Sequence, residues 1–145
     1  MFKKINIQFL ISYFGIIPYA LVFLDKYYFL KIKEEILFNF ITYYSLIIIV
    51  FIGSINWNLK DNPPTHIVVY GFLPSLFSVI IIMLNLYGIN ILITFILIIL
   101  LLITQLFFDY IIIFSNELNK SAFYFLRLPL TILIAMFLLL ILSYS

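Results

Sequence analysis

Five long apolar runs, each near the length of a membrane-crossing helix, alternate along the chain with short polar links. The runs cover residues 5–24, 36–56, 67–87, 89–108 and 123–142. A helix that crosses the hydrocarbon of a bilayer needs about 20 predominantly apolar residues. The pattern therefore predicts an all-α protein, one integral membrane bundle of five transmembrane helices over 1–145. Each link is also a helix breaker. Residues 25–35 are a charged, aromatic stretch, DKYYFLKIKEE, suited to the headgroup layer. Residues 58–66 carry Pro63 and Pro64, and a residue before proline is pushed to extended geometry. Residues 88–90 are too few for anything but a tight turn, so the third and fourth runs should form an antiparallel hairpin. Residues 115–121 are the last link.

The polar residues inside the runs are not scattered. At helical spacing they fall on one face of each run. Gln8, Ser12, Gly15 and Tyr19 form the first stripe, with Pro18 beside it as a kink. Ser45, Ile49, Gly53 and Asn56 form the second. Gly71, Ser75, Ser78, Ile82 and Asn85 form the third, again with a proline, Pro74. Asn90, Thr94, Leu101, Gln105 and Asp109 share a face of the fourth, and Arg127, Thr131 and Ala135 share one of the fifth. Pro129 lies in the first turns of that last run, where a missing N–H costs least. Small and polar stripes are what helices use to pack against each other in lipid. Gly15, Pro18, Gly53, Gly71, Pro74 and Ser75 are accordingly expected at helix contacts, and Gly71–Ser75 as a small-xxx-small pair.

Composition narrows the chemistry. Of the 145 residues 66% are hydrophobic and 10% charged, and mean hydropathy is +1.27. A soluble domain carries roughly a quarter charged residues. The formal charge of +2 comes with no basic cluster, which argues against a nucleic-acid partner. There is no cysteine and a single histidine, His66, expected in solvent after the two prolines. No metal site, cofactor site or nucleophile–base pair is legible. The start, MFKKINIQFLISYFG, resembles a signal peptide, but no small-residue cleavage site follows, and a retained first helix is expected. Lys3, Lys4, Lys60, Lys120 and Arg127 lie on the side of the N-terminus, against Lys26, Lys31 and Lys33 on the other, which orients the N-terminus inward.

Asp109 and Arg127 stand out, because each is set against a long apolar run. Such charges are costly unless they meet each other or a functional partner. Two readings are open: an interfacial pair that fixes the last two helices, or a buried pair lining a path for a proton, an ion or a headgroup. Trp57 is expected to anchor at the interface, or to wall a lipid or quinone pocket with Asn56 and Tyr44.

Several segments occur together in a familiar order: GIIP at 15–18, YYSLIIIVFIGSINW at 43–57, LPSLFS at 73–78, the aspartate of QLFFDY, and FYFLRLPLT at 123–131. Together they resemble the domain-of-unknown-function 3429 family, to which transmembrane protein 69 belongs. The resemblance implies a small multi-pass protein of the bacterial inner membrane or the mitochondrial inner membrane, and it implies no activity. The family tends to carry histidine before the tryptophan, where Asn56 stands here, so a role for an imidazole at that point is in doubt. The two function classes that follow are a non-catalytic packing or assembly partner of a membrane complex, and a carrier or enzyme for a lipid-soluble or ionic ligand at Asp109–Arg127. The expected partners are the lipid bilayer and other membrane proteins.

Overall fold

The computed structural model describes residues 12–54, 64–113 and 123–143. Helices run through all three segments, and no strand occurs among the described residues. The elements are α1 (Ile17–Leu24), α2 (Glu34–Ser54), α3 (Thr65–Leu86), α4 (Ile91–Phe108) and α5 (Leu128–Leu142). Three five-residue π-helical turns extend them: Asp25–Phe29 after α1, Asp109–Ile113 after α4 and Phe123–Arg127 before α5. With those turns, four helices among the described residues are long and apolar enough to cross a membrane: Glu34–Ser54, Thr65–Leu86, Ile91–Ile112 and Phe123–Leu142. Much of the first predicted run falls in 1–11, outside the described residues.

The boundaries follow local chemistry. The fourth helix begins two residues later than its apolar run, because the Asn90 side chain accepts the Leu92 N–H at 2.9 Å and caps the helix. Asn90, expected within a buried stripe, is therefore an exposed cap. Gly88 makes the hairpin turn at φ +81°, a conformation that a Cβ would strain. The third helix starts at Thr65, so His66 is exposed in its first turn rather than in the preceding loop.

Prolines shape two other junctions, and in both a tyrosine from another helix repairs the break. Pro18 lies in the first turn of α1, and Tyr19 N–H bonds to Ile16 O at 3.0 Å in place of Gly15 O. The Gly15 carbonyl is left over, and Tyr44 Oη donates to it at 2.9 Å from α2. Pro129 has no N–H to offer the Phe125 carbonyl, and Tyr13 Oη donates to that oxygen at 2.5 Å. Carbonyls freed by a proline need partners, and here side chains supply them.

α2 packs on α1, α3 and α4; α4 packs also on α3 and α5; and α5 closes the bundle against α1. Tyr19, Ile41, Ile49, Phe95, Ile98, Leu138 and Ile141 are wholly buried at its centre. The tightest approach is between α2 and α3. A Cβ on Gly53 would lie 2.8 Å from the Gly71 carbonyl oxygen and 2.9 Å from Pro74 Cγ, so the two backbones meet only because residue 53 has no side chain. Gly71 and Pro74 are buried and Ser75 half-buried, with Ser78 in the seam.

The link between α1 and α2 departs from expectation. It is not wholly a solvated interfacial loop, because the Lys26 side chain is only 8% exposed. Its Nζ sits 2.8 Å from Glu34 Oε1, 2.5 Å from the Ile141 carbonyl and 4.8 Å from the centre of the Phe38 ring. Tyr27 Oη donates to the Leu140 carbonyl at 2.6 Å. A helix ends with carbonyls that have no intrahelical partner, and those of α5 are met by this link.

Candidate functional site

Asp109 and Arg127 are brought together by two π turns. Asp109 opens the one that follows α4, and Arg127 closes the one that precedes α5. A π turn carries one more residue per hydrogen-bonded ring than an α turn and re-aims the side chains around it. Arg127 Nε donates to Asp109 Oδ2 at 2.6 Å, and Nη2 donates to the same oxygen. The aspartate side chain is 3% exposed and the arginine 12%.

The second carboxylate oxygen has a partner that sequence reasoning missed. Tyr70 Oη on α3 lies 2.6 Å from Asp109 Oδ1 and 2.9 Å from the Gln105 carbonyl, so its one proton is shared between them. Gln105 extends the cluster inward, where its Nε2 donates to the Ile49 carbonyl on α2 at 3.1 Å. Three helical segments thus meet at one carboxylate, and Gln105 links the cluster to a fourth helix, α2. A signal for Tyr70 did exist. It lies on the same side of α3 as Pro74 and Ser78, at the end where Asp109 and Arg127 lie. A tyrosine near a helix end reads first as an interfacial anchor, which hid it.

A charge pair with so little water needs every lone pair matched, and here both oxygens are occupied. Among the described residues, no second carboxylate bonds to the cluster and no group of three metal-ligating side chains occurs. Beside it lies an open groove of about 730 Å³, walled by Thr65, His66, Val69, Tyr70 and Leu73 of α3 with Phe108 and Ile112 of the α4 end. Tyr70 belongs to both features. Its ring lies 5.7 Å from that of Phe108 in the groove, and its hydroxyl reaches the ion pair.

The remaining predicted residues divide. Tyr44 joins Gly15 at the α1 break, 2.9 Å away. Asn56 and Trp57, expected to wall a pocket with Tyr44, lie outside the described residues. Gly53, Gly71 and Pro74 form one contact. No family model, curated protein or solved structure matches the chain.

Proposed function

We propose that the chain is an integral membrane protein of five spans that acts without catalysis, as a packing or assembly partner in a membrane complex. One observation carries this reading. Among the described residues, the polar side chains at the centre of the bundle are bonded to other helices of the same chain, while many outward positions are apolar. Tyr13, Tyr19, Tyr44 and Tyr70 each donate across helices, and Asp109 is closed off by Arg127 and Tyr70. Leu21, Ile47, Phe51, Val79, Phe107 and Ile132 are more than half exposed. Surfaces of that kind are stable only against lipid or other apolar helices. The resemblance to the domain-of-unknown-function 3429 family and a bacterial inner-membrane location, with the mitochondrial inner membrane as the alternative, belong to the same proposal. So does an inward N-terminus.

Purification from native membrane in a mild detergent tests it. A membrane protein retained in fixed proportion supports the reading, and a chain that leaves the column with lipid alone overturns it. Topology reporters at the two ends should lie on opposite sides; reporters on one side would exclude five spans. The groove beside Tyr70 favours a second reading, a carrier or enzyme for a lipid-soluble or ionic ligand. Ligand-dependent protection of Tyr70→Phe-sensitive melting is its test.

A further inference from the structure

Three buried polar atoms have no hydrogen-bond partner among the described residues: Thr42 Oγ1, Ser78 Oγ and Gln105 Oε1. Their residues are 0%, 3% and 2% exposed. In hydrocarbon each unmet group costs several kcal/mol. All three fall on a single seam.

The register of that seam is set at both ends. Gly53 of α2 touches Gly71 and Pro74 of α3, and Asn85 Nδ2 donates to Asn39 Oδ1 at 3.2 Å and lies 3.5 Å from Tyr43 Oη. From Gly53 to Asn39 α2 rises about 21 Å. Ser78 lies midway between Gly71 and Asn85 on the same face of α3, so it stands opposite the middle of that stretch, near Leu46. Thr42 is two turns from Ile49 on the matching face of α2. Gln105 enters from α4 at Ile49, whose carbonyl it holds. Polar groups therefore follow one another from Asp109 and Tyr70, through Gln105, Ser78 and Thr42, to Asn39 and Asn85. Along α2 the successive levels are three or four residues apart, roughly 4.5–6 Å, close to the distance spanned by one water with two hydrogen bonds.

We propose that this seam binds a file of water molecules and that protons pass along it between the two ends of the bundle. Water suits the unmet set, because it donates to Gln105 Oε1 and both donates to and accepts from the hydroxyls. In each step a water takes a proton from one neighbour and releases one to the next. One proton thus enters at one end for each that leaves at the other, and no residue changes its covalent state. The proposal goes beyond the assembly reading and rests on its membrane component alone. Resistance of the protein to carbonate extraction from membranes tests that component separately.

The experiment is proton entry into vesicles that hold a trapped pH dye, after an external acid step, with potassium and valinomycin to cancel the charge moved. Vesicles with the parent protein should acidify faster than protein-free ones. Ser78→Val and Gln105→Leu should return the rate to the protein-free value, whereas Thr104→Val, on an exposed face of α4, should leave it unchanged. Melting in detergent shows that each variant is folded, and Thr42→Val replaces any that is not. Folded parent protein that conducts no faster than empty vesicles overturns the proposal. So does flux that survives both seam substitutions.

Discussion

The two ends of the bundle each carry a buried cation, and they use it differently. At one end Arg127 meets Asp109, and both side chains are nearly dry. At the other, Lys26 is equally dry, but its carboxylate partner Glu34 is about half exposed. Part of the Lys26 charge is answered by the Ile141 carbonyl and the Phe38 ring. The first end is a closed pair, in which either charge alone would be stranded. The second is a cap, in which a cation meets the negative end of a helix and the acid is an accessory. The same two charges at similar distances therefore predict unequal consequences.

Breaking the closed pair should have the largest effect. Asp109→Asn and Arg127→Gln should each lower stability by roughly 3–5 kcal/mol, and the double change should recover part of the loss. A double-mutant cycle on detergent melting reads this directly; additive losses would show that the pair is not closed. Next comes the tight seam. Gly53→Ala places a methyl against Gly71 O and Pro74 and should cost about 1–3 kcal/mol by the same assay. At the capped end the asymmetry is the test. Lys26→Met should cost about 1.5–3 kcal/mol, because a charged donor to α5 is lost. Glu34→Gln should cost less than about 1 kcal/mol, as exposed partners do. Equal losses at Lys26 and Glu34 would make the second end a closed pair as well. A loss smaller than that at Lys26 is expected of Tyr44→Phe, about 1 kcal/mol for one hydrogen bond to Gly15 O. An unchanged melting point there would mean that another group meets that carbonyl.

What the sequence revealed of this, and what it hid, has a physical pattern. Asp109 and Arg127 were legible because an ionised group against an apolar run is costly anywhere, whatever the fold. Gly53 and Gly71 were legible as members of small-residue stripes, although their contact with each other needed the register. Lys26 was not legible. A lysine between aromatics has the same local composition whether its amine sits in headgroups or caps a helix more than 100 residues away in the chain. Tyr70 was hidden for the same reason. The three π turns left no trace in the hydrophobic period, since one widened turn shifts the pattern less than ordinary sequence noise does. Tyr13 and Tyr44 could have been anticipated, because Pro129 and Pro18 leave carbonyls that some donor must reach.

The closure of α1 against α5 has a consequence for biosynthesis. Tyr13, Lys26 and Tyr27 all donate to carbonyls of the last helix or of the π turn before it. At ordinary rates of translation α5 emerges roughly 5–20 s after α1. During that interval the first helix has entered the membrane without the α5 carbonyls that these three side chains meet, while α2, α3 and α4 can already assemble around Gly53, Gly71 and Gln105. The first helix inserted should be the last to be locked. Nascent chains halted before residue 123 should therefore show a protease-sensitive 25–33 link that becomes protected once α5 is made, and protection before that point would show that α1 is held by something other than its partner at the far end of the chain.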